Sequence, residues 1–164
     1  MTHLELCFFL DANCVNARQR VQALNELEQW RERGAITLIY SNTTHAEAAF
    51  GNPRREEKVS DFTWTELNES GENPEVHRAI EAILYPVGPK NQNEKNDVRA
   101  VYQAERLRWP LITLDGASKS QPGGILGRAA MLAKLGVEVL TPEQALSRVK
   151  ARVESQVQNT GAKR

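Results

Sequence analysis

Four carboxylates stand where acids from separate parts of a chain do chemistry together: Asp11, Glu47, Asp97 and Asp115. Asp11 follows directly on the apolar run LELCFFL, and Asp115 closes the run Leu111-Ile112-Thr113-Leu114 just before Gly116. Glu47 comes soon after the β-branched run AITLIYS. Asp97 opens a segment in which Val98, Val101 and Tyr102 share one helical face. Acids at the carboxyl ends of strands and the first turns of helices lie on the rim where open α/β sheets bind their ligands. Neighbouring parallel strands are about 4.8 Å apart. At ~5 Å two like charges repel by about 3 kcal/mol in an effective dielectric near ~20. Three or four such groups are relieved by protons or by a cation among them. Oxygen donors alone select a hard ion, Mg2+ or Mn2+. A carboxylate-held dication in an open cleft activates water against phosphoryl groups, so phosphodiester hydrolysis is the chemistry this set suggests.

Each acid also has a purely structural role open to it. Asp11, with Asn13, suits the start of a turn. Glu47 completes a Thr44-x-x-Glu47 capping box. Asp97 complements a helix dipole, and Asp115-Gly116 is a turn pair. The conjunction argues for more, because two strands run straight into an aspartate.

The elements that must position these residues read β-α-β-α from the N-terminus. LELCFFL predicts a strand buried on both faces, followed by a helix from about Asn13 to Arg33 with Gly34 as its stop. AITLIYS is the second strand, and Thr44 opens a short helix through Ala49. A helical insertion is predicted at about 51–95. Val59, Phe62 and Leu67 give it a first helical stripe; Pro74, Val76, Ile80, Ile83 and Leu84 give a second. The segment YPVGPKNQNEK reads as a loop. A helix from Asp97 to Pro110 follows, then the strand ending on Asp115, and a helix over Ile125–Leu135 capped by Gly136. VEVL is a last short strand, and a terminal helix starts with Thr141 as N-cap and Pro142 at its first position. This order calls for a three-layer α/β/α fold around a central parallel sheet. The predicted domain spans 1–145, with a basic C-terminal helix or tail at 146–164, where Arg148, Lys150, Arg152, Lys163 and Arg164 face one acid, Glu154.

Composition sets the limits. The 164 residues, 40% apolar and 26% charged, suit one globular domain. A net charge of +0 argues against bulk polyanion binding but leaves room for a local basic strip. Arg18, Arg20, Arg54, Arg55 and Arg99 are candidates for such a strip. Cys7 and Cys14 form neither a CxxC nor a Cys/His cluster, which disfavours zinc and disulfide readings. His45 on the capping turn, His77 on a helix surface and His3 near the terminus are given no chemical role. No run approaches ~18 apolar residues and no signal peptide is evident, so a cytoplasmic location is expected.

Taken together, these segments resemble the PIN-domain ribonucleases, a family that includes many toxins of toxin–antitoxin pairs. The likeness is carried by Leu10-Asp11-Ala12-Asn13, Ala46-Glu47-Ala48, Asn96-Asp97-Val98, Thr113-Leu114-Asp115 and the closing GVEVLTPEQAL, and it covers nearly the whole chain. The resemblance implies an endoribonuclease in which Asp11, Glu47, Asp97 and Asp115 hold one or two Mg2+ or Mn2+ ions and activate water for RNA cleavage. It implies Asn13 and Thr113 as supports of those ligands, and an antitoxin protein and a homodimer as partners; Arg99, closest to the acids in sequence, and Lys119, near the rim, are candidate phosphate contacts by position. The chain departs from the family where many members place a further acid, since Ala117 and Ser118 follow Gly116. Its 51–95 segment is also longer than in compact toxins. Two rival readings stand beside this one. A catalytically inactive PIN-like module would bind protein or RNA. A receiver- or phosphatase-like module would use Asp11 as nucleophile, but Asn13 replaces the second acid of its DxD pair.

Overall fold

The computed structural model describes residues 6–17, 20–49, 64–65, 72–116 and 123–161. Among them five strands form one parallel sheet: β1 (Leu6–Leu10), β2 (Ile36–Ser41), β3 (Trp64–Thr65), β4 (Leu111–Ile112) and β5 (Val139–Leu140), in the order β3-β2-β1-β4-β5. β1 is central, with Phe9 opposite Ile39 on one side and opposite Leu111 on the other. Helices α1 (Ala12–Asn16), α2 (Gln22–Glu32), α3 (Asn42–Ala49), α4 (Pro74–Leu84), α5 (Gln92–Leu107), α6 (Ala129–Ala133) and α7 (Pro142–Gly161) connect or follow the strands.

Strand pleat divides the core in two. Phe8 and Leu10 point to one face with Leu24, Leu27, Leu146 and Val149 of α2 and α7. Phe9 points to the other with Ile80, Leu84, Val98 and Val101 of α4 and α5. The same alternation separates Leu111 from Ile112 and Val139 from Leu140, as a period of two requires. This is the three-layer α/β/α arrangement that the alternating pattern predicts.

Four local expectations need correction. The first helix is broken into α1 and α2. Between Val15 and Val21 only Ala17 is apolar, so no buried stripe carries one helix through, and Arg20 Nη2 donates to the open Asn16 carbonyl at 2.8 Å. α3 is capped by Ser41, whose Oγ accepts from the Thr44 N–H at 3.2 Å, so Thr44 does not open that helix. The predicted 85–95 loop ends at Asn91, whose side chain accepts from the Glu94 N–H at 3.0 Å. α5 therefore starts at Gln92, and Asp97 lies in its second turn, past the reach of the dipole. Within the predicted insertion, Trp64–Thr65 pairs with Tyr40–Ser41 as a strand, while 50–63 and 66–71 lie outside the described residues.

The predicted boundary at 146 falls inside α7. That helix opens with a reciprocal box: Thr141 Oγ1 accepts from the Gln144 N–H at 3.2 Å, and Gln144 Oε1 accepts from the Thr141 N–H at 2.9 Å. Two cations of the basic segment are paired, Arg148 with Glu138 and Lys150 with Glu26 at 2.8 Å. No helix among the described residues is long and apolar enough to cross a membrane.

Candidate functional site

The site is built outward from the end of the central strand. The ladder carries past β1, because the Asp11 N–H donates to the Ile112 carbonyl at 3.0 Å. Asp11 then turns the chain as N-cap of α1 (φ −77, ψ 156), and its Oδ1 accepts from the Ala12 N–H at 2.7 Å. It is only 4% exposed. Its Oδ2 accepts from Thr113 Oγ1 at 2.7 Å and from Asn13 Nδ2 at 2.9 Å. Asn13 bridges the two strand ends: Nδ2 also reaches Thr113 Oγ1 at 3.2 Å, and Oδ1 accepts from the Leu114 N–H at 3.1 Å. The structure thus puts the Asn13 and Thr113 side chains directly on the Asp11 carboxylate.

Thr113 continues the network to the next acid. Its Oγ1 accepts from the Asp115 N–H at 3.0 Å. Asp115 is itself wrapped by the chain that returns at 123–126. Its Oδ2 accepts from the Ile125 N–H at 2.9 Å, and its backbone carbonyl accepts from the Leu126 N–H at 2.9 Å. Gly124 makes this approach feasible. A Cβ there would lie 2.5 Å from both Asp115 O and Oδ1, and the residue has φ +45.

Glu47 and Asp97 arrive from helices on the sheet's carboxyl edge. α3 packs against both α1 and α5. Burial, then the nearby Asp11 charge, pushes the Glu47 carboxyl from 4.5 up to about 7, against a lowering hydrogen bond from the Asn96 side chain. Asp97 rises from 3.8 to about 7, chiefly through burial, and the charges of Asp11, Asp115 and Glu47 all add to the rise. The Tyr85 hydroxyl donates to Asp97 Oδ2 and partly offsets it. Asp11 is likewise raised by burial, with a contribution from Asp115, against its hydrogen bonds to Thr113, Ala12 and Asn13. Asp11, Glu47 and Asp97 therefore each feel the charge of another acid of the set. Beneath them Cys14 Sγ donates to the Ile112 carbonyl at 3.4 Å, and burial together with the Asp11 charge holds its thiol protonated.

The remaining sequence candidates separate. Arg99, two residues beyond Asp97, lines a cavity between α4 and α5. Arg20 serves the end of α1. Lys119, Arg18, Arg54, Arg55 and His3 lie outside the described residues. His45 stacks on Tyr40 with ring centres 6.1 Å apart. His77 meets the Tyr102 ring edge-on at 5.3 Å and borders the same cavity as Arg99, so it is more than a surface residue.

Three contributors went unread in the sequence. Tyr85 sits between a helix end and a proline, where no spacing rule links it to Asp97. Asn96 carried only a neighbour's motif. Gly124 had the one visible signal, the Pro-Gly-Gly run ahead of an apolar helix.

All four acids offer oxygen atoms, the donor type a hard dication takes. Among the described residues no three His, Cys, Asp or Glu side chains are already gathered to hold a metal ion. The chain matches no protein-family model, and no curated protein resembles it closely enough to assign it a family.

Proposed function

We propose that this protein is a metal-dependent endoribonuclease hydrolysing RNA phosphodiester bonds at the Asp11, Glu47, Asp97 and Asp115 cluster. One observation carries the reading: acids from four separate elements lie near enough to one another that the charges of Asp11, Asp115 and Glu47 all act on Asp97. Their burial and mutual charge raise Glu47 and Asp97 to about 7. Such a set is relieved by Mg2+ or Mn2+, which Asp11, Glu47, Asp97 and Asp115 would hold. When bound, the ion supplies positive charge for phosphoryl oxygens and a more acidic water.

The chain's own residues have distinct parts in this reading. Asn13 and Thr113 fix the Asp11 carboxylate across two strand ends. Tyr85 orients Asp97 by donating to its Oδ2. Asn96 steadies Glu47. Arg99 and Lys119 are the proposed phosphate contacts.

The test incubates the purified protein with single-stranded and structured RNA, in Mn2+ or in chelator, beside Asp97→Asn. Cleavage confined to the wild type with Mn2+ is expected; cleavage surviving both chelation and the substitution overturns the mechanism. The alternative is a catalytically idle module of the same fold that binds RNA or protein. RNA binding without cleavage of any substrate would establish it. A toxin's role, with an antitoxin and a homodimer as partners, rests on the family resemblance alone. Reading the neighbouring gene and measuring the solution mass test it.

A further inference from the structure

The C-terminal end of α4 cannot satisfy all of its own carbonyls. The last turn of any helix leaves some without intrahelical donors, and here Pro86 follows, which brings no N–H. That turn also carries no basic residue to suit the negative end of the dipole. Arg128 supplies both a donor and a charge from a distant part of the chain. Its Nε–H donates to the Ile83 carbonyl at 2.7 Å, and α6, which follows Arg128, packs on α4.

Ile83 lies two residues before Tyr85, whose hydroxyl donates to Asp97 Oδ2. The Tyr85 backbone follows the helix end: its N–H donates to the Glu81 carbonyl at 2.7 Å, and its carbonyl accepts from the Gly88 N–H at 2.8 Å. Its ring belongs to the core that includes Ile80, Leu84 and Ile125. A tilt of this end therefore carries the hydroxyl with it. Arg128 also belongs to the segment that wraps the other acid. The Ile125 and Leu126 N–H groups hold Asp115, and the Arg128 N–H donates to the Ile125 carbonyl at 3.0 Å. One connected path thus leads from Asp115 through Ile125 and Arg128 to Ile83, and through Tyr85 to Asp97.

We propose that Arg128 is a positioning residue, which sets Asp97 through Tyr85 and so fixes its separation from Asp115. This deepens the nuclease reading and rests on it for the purpose served. Two carboxylates share one ion only while their placement is held to about half an ångström, and groups behind the ligands supply that hold.

NMR of metal-free protein with isotope-labelled aspartate carboxylates, at pH 8 throughout, reads the linkage directly. Arg128→Gln is expected to move the Asp97 resonance toward its position in Tyr85→Phe. Arg128→Lys keeps the charge but loses the Nε–H, so it should give a smaller shift, and it reads the linkage even if Arg128→Gln does not fold. Added to Tyr85→Phe, Arg128→Gln should move the resonance no further, since the hydroxyl that it positions is gone. Asn73→Ala removes the cap at the opposite end of α4, where Asn73 Oδ1 accepts from the Glu75 N–H at 3.1 Å. It should lower the urea midpoint and leave Asp97 in place. An Asp97 resonance unmoved by either Arg128 variant makes Arg128 a helix cap and nothing more, which overturns the proposal. An equal shift in Asn73→Ala, or additive shifts in the double variant, overturns it too. Mn2+ titration and RNA cleavage separate the two readings. Arg128→Gln is expected to weaken Mn2+ binding by about threefold or more. If Mn2+ binds and RNA is cleaved while Arg128→Gln changes neither resonance nor affinity, the linkage fails and the nuclease stands. If no Mn2+ binds and nothing is cleaved while the resonance still moves, the linkage stands and the nuclease reading fails.

Discussion

At the scale of single residues, the site is held by polar groups whose positions leave them little freedom. Asp11 has three donors on its carboxylate, and Thr113 Oγ1 links Asp11 to the Asp115 backbone. These two partners are legible in the sequence through the family resemblance, which implies Asn13 and Thr113 as supports of the acids. Tyr85 was not, since a hydroxyl reaching a carboxylate across a proline-containing loop leaves no periodic trace. Gly124 is where residue chemistry can be tested most sharply. Alanine there places a methyl 2.5 Å from Asp115 Oδ1 and O, so either the 123–126 turn or the carboxylate must shift. Gly124→Ala is expected to lower stability by about 1–3 kcal/mol, the scale of overpacking, read from the urea midpoint. Activity should fall further than stability accounts for, because the displaced group is Asp115 itself. Wild-type activity in a folded Gly124→Ala protein would remove Asp115 from the reacting set.

At the scale of elements, strands were read more securely than helix ends. β1 and β2 are continuous apolar runs, and burial on both faces is written into them. The start of α5 was misplaced because its apolar stripe begins only at Val98, four residues after Glu94 had already engaged the Asn91 cap. The capping residues Asn91 and Glu94 were the better guide. The α1/α2 break reflects a polar stretch with no core-facing residue. β3 was hidden because two residues are too few to show a period. α7 shows the same lesson at the C-terminus: a basic composition suggested a solvated tail, while its first three turns bury Ala145, Leu146 and Val149. Stability should therefore change character along one helix. Leu146→Ala, at 8% exposure, is expected to cost roughly 2–4 kcal/mol. Val157→Ala, at 66% exposure, should stay within about 0.5 kcal/mol. Denaturant midpoints check both, and equal costs would mean that α7 is not part of the core layer.

For the whole molecule, the acid cluster makes stability and ligand binding two sides of one balance. Glu47 and Asp97 have folded-state values near 7 against ordinary ones of 4.5 and 3.8. A raised acid pKa means that the folded chain keeps protons the unfolded chain has released. The associated stability is complete below the ordinary values and is lost as pH rises through about 7. Metal-free protein should therefore melt at progressively lower temperature between about pH 5 and pH 8. Glu47→Gln removes one titrating group and one repulsive charge, so its melting curve should be flatter and lie higher at the alkaline end. A dication does the opposite of a proton in pH dependence, binding as the carboxylates ionise. Adding Mn2+ at pH 8 should raise the midpoint, by about 2.7 kcal/mol of stability at a hundred times its dissociation constant, and should do little at pH 5. Differential scanning fluorimetry over pH, with and without Mn2+, reads both trends at once. A pH-independent midpoint would mean the four acids do not share a field. A falling midpoint that Mn2+ fails to restore would leave the cluster proton-linked but unsuited to metal, and the hydrolytic reading would go with it.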